Sequence, residues 1–126
     1  MFLMKSYLII LTVLIFTACD KRMDYDYFIV NNCDEIINVY IETDRNDVSK
    51  SIVILSYETE LIYHGTGING LQDGLVEFFF KKITVYKVDK TSKVNYIDRN
   101  LWVFEPVSGN HANSYLTINP GDFEDE

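Results

Sequence analysis

Aromatic and β-branched residues in this chain come in short runs, each closed by turn formers, and nowhere hold a helical period for long. That spacing limits the fold more than any other feature. The runs are Tyr25–Val30, Ile36–Thr43, Ile52–Leu55, Glu60–Tyr63, Ile83–Val88, Trp102–Phe104 and Tyr115–Ile118. Within the second, Ile37, Val39 and Ile41 fall on one face and Asn38 and Glu42 on the other, the period-two pattern of a half-buried strand. Asn31-Asn32-Cys33-Asp34, the polar stretch 44–50, Asp89–Ser92 and Ser108–Asn113 break the runs, and Pro120-Gly121-Asp122 stops the last.

About seven short strands with regular turn signals predict an all-β fold: a single antiparallel β-sandwich, immunoglobulin-like or related. A parallel α/β sheet needs crossover helices, and no segment is long enough to supply them. At most one short helix is expected. Asp73 could cap it over Gly74–Phe80, or the same run could extend the next strand. Trp102, Phe28, Tyr40 and Phe78–Phe80 are expected to close the core. Hydrophobic residues at 48 % and charged residues at 24 % of 126 are globular proportions for one domain. The net charge of -8 repels nucleic-acid phosphates, so no nucleic-acid partner is expected. The same charge repels an anionic bilayer, so basic residues would not hold the chain to a membrane.

The N-terminus predicts export. Lys5 precedes Tyr7–Phe16, in which Thr12 is the only polar residue, and the small Thr17-Ala18 follow. This is the layout of a secretory signal peptide. A spanning helix needs about 20 apolar residues, so the segment is too short to be one. Phe16-Thr17-Ala18-Cys19 resembles the bacterial lipobox, with phenylalanine at the usual leucine position. The resemblance implies that the Cys19 sulfur accepts a diacylglyceryl group, that cleavage falls between Ala18 and Cys19, and that the new amine is acylated. A thiolate suits such chemistry, and two or three chains anchor where one does not. The expected organisation is a lipoprotein signal peptide over 1–18, a lipidated tether over 19–26, the β-sandwich over 27–120 and an acidic tail over 121–126.

Asp20–Asp26, acidic but interrupted by Lys21 and Arg22, resembles the export signals of surface lipoproteins of the Bacteroidetes type. The order of elements is also similar to small lipoproteins of those bacteria: Val30-Asn31-Asn32 after the lipobox, the Leu61–Gly67 segment mid-chain, a tryptophan strand, and Tyr115-Leu116-Thr117-Ile118 at the close. The resemblance implies a β-sandwich with no assigned activity. It places the chain on a bacterial membrane, the outer membrane for preference, with the periplasmic and cell-surface faces both open.

Gly65-Thr66-Gly67-Ile68-Asn69-Gly70 spells G-x-G-x-x-G. A dinucleotide loop needs a long helix after it, and Asp73-Gly74 interrupts at once, so neither dinucleotide nor other cofactor is expected. The glycines are expected to form a loop that uses positive φ. Cys33, the only thiol left once Cys19 is lipidated, is expected to be small, buried and inert. His64, His111 and Cys33 lie far apart, and Asp44–Asp47 lacks the glycine and glutamate of a calcium loop, so no metal site is expected. No G-x-S-x-G occurs, and no catalytic residue is assigned.

The functional expectation is an exported, lipid-anchored sandwich that binds or assembles in the cell envelope and is not an enzyme. Its partners would be the membrane, through Cys19, and an envelope protein or glycan. One alternative is a carbohydrate-binding or adhesin-like module, marked by exposed coplanar aromatics. The other is a small envelope hydrolase, marked by a concave site with His64 or His111 beside an acid.

Overall fold

In a computed structural model of the chain, residues 22–44, 48–68 and 79–124 are described. They form eight strands: β1 (Arg22–Asn31), β2 (Ile37–Thr43), β3 (Ser49–Ile54), β4 (Thr59–Ile68), β5 (Phe80–Lys87), β6 (Lys90–Thr91), β7 (Trp102–Ser108) and β8 (His111–Ile118). Two four-stranded sheets result, ordered β4-β1-β8-β7 and β3-β2-β5-β6, and they pack as a sandwich. Among the described residues, two single 3-10 turns, Arg99–Leu101 and Pro120–Phe123, and helical backbone at Phe79 complete the regular structure. Among the described residues no helix is long and apolar enough to cross a membrane.

Every pairing is antiparallel except one. β1 runs parallel to β8, from Asp24↔His111 to Asn31↔Ile118. No crossover helix is required, because nearly the whole domain connects these two strands. Alternation drives the layering. Tyr25, Tyr27 and Ile29 of β1, Ile37, Val39 and Ile41 of β2, and Ala112, Leu116 and Ile118 of β8 are buried between the sheets. Tyr27 sits at the centre. Its ring centroid is 5.1 Å from Phe80 and 5.6 Å from Trp102, both edge-on, and 5.5 Å from Phe79. Such pairs contribute about 0.5–1.5 kcal/mol each beyond area burial.

Several expectations are revised. β1 begins at Arg22, so Arg22–Asp26 are paired strand and not tether. β4 continues through Gly65–Ile68, the stretch expected to be loop, and no positive φ occurs at Gly65. What glycine supplies there is space. A Cβ on Gly65 would stand 2.6 Å from Cε1 of Phe79. β7 runs past Pro106, which an edge strand tolerates. Phe28 and Tyr40 are half-buried on the outer faces, because Tyr25 and Tyr27 take the core positions of β1 and Val39 and Ile41 those of β2. Phe80 opens β5, while residues 74–78 of the expected helix lie outside the described residues.

The two ends of the sandwich differ. Strand direction puts the start of β1 and the β7–β8 turn at the base, and the segments 32–36, 55–58, 88–89 and 119–124 at the apex. Buried Asn31 braces the apex. Its Nδ2 donates to the carbonyls of Glu35 at 2.9 Å, Ile54 at 3.2 Å and Leu55 at 3.1 Å, while its Oδ1 accepts from Cys33 N at 3.0 Å. The Tyr96 hydroxyl lies 2.6 Å from Ser92 Oγ and donates to Asp122 Oδ2 at 3.0 Å, and Trp102 Nε1 donates to the Tyr96 carbonyl at 2.7 Å. These bonds fasten the last 3-10 turn over the core.

Candidate functional site

The outer face of the β4-β1-β8-β7 sheet gathers the chain's two histidines. In β1 the inward Tyr25 and Tyr27 force Asp24 and Asp26 outward. Register then does the rest. His64 of β4 lies opposite Asp26, and His111 of β8 lies opposite Asp24. The Asp26 carboxylate stands between both rings: Oδ1 is 2.5 Å from His64 Nδ1, and Oδ2 is 2.7 Å from His111 Nε2. An ionised carboxylate only accepts, so the facing nitrogen of each ring carries the proton. In the neutral state this leaves Nε2 of His64 and Nδ1 of His111 as acceptors. His64 Nε2 is 3.9 Å from Asp24 Oδ1, an ion-pair distance when the ring is charged.

Burial differs across the cluster. The side chain of Asp26 is 20 % exposed, that of His111 34 %, and that of His64 54 %. Burial alone would raise the Asp26 carboxyl. The hydrogen bonds from His64 and His111, and the charge those rings can carry, outweigh it and hold the group below its ordinary value. One carboxylate thus ties three strands together through charge-assisted bonds.

An apolar patch adjoins the cluster. Phe28 and Tyr115, partners in the parallel register, stack with centroids 5.1 Å apart and planes 17° apart. Leu61 and Val103 flank them, exposed on β4 and β7. Asn113 sits beside Asp26 in register. Its Nδ2 donates to the Tyr115 hydroxyl at 3.3 Å, and its Oδ1 is a buried acceptor with no partner.

Of the residues considered from sequence for zinc, the fold brings His64 and His111 together and leaves Cys33 apart, at the apex. Among the described residues no group of three His, Cys, Asp or Glu is arranged to hold a metal ion. Cys33 is fully buried, its sulfur 3.8 Å from the Ile118 carbonyl, and burial raises its thiol above the ordinary value. Gly65 and Gly67 sit in strand paired to β1, not in a turn before a helix, and Asn69 and Gly70 lie outside the described residues. Ala18 and Cys19 also lie outside them, as do residues 45–47 of the stretch weighed for calcium. Asp26, the centre of the cluster, was not singled out from sequence. Its only local signal is an acid at every second position of an aromatic run, Asp24-Tyr25-Asp26-Tyr27.

Comparison with protein-family models, curated proteins and solved structures finds no match for the chain.

Proposed function

We propose that the chain is a lipid-anchored sandwich of a bacterial envelope that acts by binding, with the outer face of the β4-β1-β8-β7 sheet as its recognition surface. The observation that supports this is one open face joining a stacked aromatic pair, Phe28 and Tyr115, to an ionic cluster, His64–Asp26–His111. An aromatic anchor beside fixed charges supplies contact area and register together. Anchoring rests on the lipobox at Phe16–Cys19, and the short path from Cys19 to Arg22 would hold the base of the sandwich against the bilayer. The test of binding is a pulldown of the lipidated chain from its own envelope, in wild type, Tyr115→Ala and Ser51→Ala. A component retained by wild type and Ser51→Ala, but lost from Tyr115→Ala, is the expected result. Equal retention by all three refutes the face.

The cluster also favours a second reading, a small hydrolase. His64 presents Nδ1 to a carboxylate and leaves Nε2 outward, as a general base does. Hydrolysis of ester or phosphodiester probes by the wild type, abolished in His64→Gln, would establish it. No turnover above buffer by the wild type would dismiss it.

A further inference from the structure

The apex carries a second surface, formed by different residues. Register aligns them. β2 and β3 end their pairing at Ile37↔Ile54, so the next rung sets Ile36 beside Leu55. β2 and β5 pair as far as Asn38↔Tyr86, and Val88 follows in the turn after β5, at the same end of the sheet as Ile36. Leu55, Ile36 and Val88 therefore share the apical rim of this sheet, exposed at 49 %, 49 % and 86 %. Tyr57, 66 % exposed, follows in the turn that Glu58 N closes onto the Leu55 carbonyl.

Two of these four residues hold left-handed backbone, Tyr57 at φ 59° and Val88 at φ 48°, and no other non-glycine residue in the described chain does. A β-branched side chain at positive φ is strongly disfavoured, and a hairpin tip would accept glycine or asparagine at lower cost. Neither side chain is buried, so the core does not account for the choice. The strain is kept at two exposed apolar positions, an outlier that points to use.

We infer that this rim docks a protein partner bearing an apolar groove bordered by basic side chains. Charge selects the occupant. Asp34, Glu35, Glu58 and Asp89 lie within two residues of these positions along the chain, all exposed, against Lys90 and the half-buried Lys87, whose Nζ lies 5.0 Å from the Phe123 ring centroid. A second copy would set these acids against their own kind in a chain of net charge -8. An anionic bilayer is repelled likewise. Topology also turns the rim from the anchoring bilayer. The chain enters at Arg22, and the ten residues of β1 carry it about 33 Å to the apex. That last point rests on the lipid-anchoring reading; the rest does not.

The test places a photo-reactive residue at position 88, 57, 103 or 51 of the full chain, one at a time, in whole cells of its native host. Crosslinking from 88 and 57 to one protein, with none from 51, is expected. The purified partner should then bind the wild-type chain at least tenfold more tightly than Val88→Gly, and more weakly in high salt. Crosslinks from 88 to lipid, to a second copy or to nothing overturn the inference. A crosslink from 103 without one from 88 also overturns it, yet leaves the sheet-face reading standing. Val88→Gly supplies the check on folding. Glycine adopts left-handed φ freely, so Tm should hold or rise. A fall in Tm with weaker binding would show that Val88 supports the fold and not a partner.

Discussion

The ring of Phe79 fills the space that a side chain on Gly65 would need. Its Cε1 would lie 2.6 Å and its Cδ1 2.9 Å from that Cβ, closer than such atoms pack. Phe79 is itself held by Tyr25 at 6.0 Å and Tyr27 at 5.5 Å between ring centroids. It cannot swing aside without disturbing the centre of the core. Gly65→Ala should therefore destabilise the domain by about 1–3 kcal/mol, the usual cost of overpacking. Urea melts of the two proteins measure it. An unchanged midpoint would mean that the ring relaxes freely.

Asp26 makes stability depend on pH in a defined direction. Its folded-state value is depressed, so its contribution is complete above about pH 4, the ordinary range of an aspartate. The contribution disappears as the pH falls through the lower folded value. Asp26→Asn should flatten that acid limb. The loss near neutrality should be about 1 kcal/mol or less, as the His64 partner is more than half exposed and solvent screens the pairing. Thermal melts from pH 2 to 7 of both proteins compare the slopes, and coincident curves would remove Asp26 from the balance.

Asn31→Ala should be among the more damaging single changes. It leaves the carbonyls of Ile54, Leu55 and Glu35 and the amide of Cys33 without their side-chain partner at a buried corner. An unsatisfied buried group costs about 1–3 kcal/mol. Hydrogen exchange should show the loss first in residues 32–36 and 54–58. Uniform exchange across the domain would argue that the bracket is not local.

Cys33 should be kinetically silent in the folded protein. It is fully buried, and burial raises its thiol, so little thiolate is exposed to reagent. A chromogenic disulfide should label a Cys19→Ser chain at the rate of unfolding and immediately in denaturant. Fast labelling under native conditions would contradict the burial.

Local pattern and pairing contributed differently to what could be read in advance. The alternation of Ile37, Val39 and Ile41 is short-range, and it matched the buried face of β2. The same rule applied to Asp24 and Asp26 was masked by composition, because acids after a presumed lipid site look like linker. Gly65 and Gly67 suggest a loop because glycine permits positive φ, yet at Gly65 the chain needs the missing side chain as room for Phe79. The His64–Asp26–His111 cluster joins residues 38 and 85 positions apart. Which strands become neighbours fixes that proximity, and no local period encodes it.

The parallel pairing of the first and last strands has a mechanical consequence. β1 enters at the base and β8 leaves at the apex, so a pull on the two ends of the chain draws these neighbours past each other along their length. The load falls on the rungs from Asp24↔His111 to Asn31↔Ile118 together, in shear, where an antiparallel hairpin would open one rung at a time. The grip of Asp26 on His111 adds resistance at the end where the force enters. A domain held at its base and tugged at its far end would yield late and all at once.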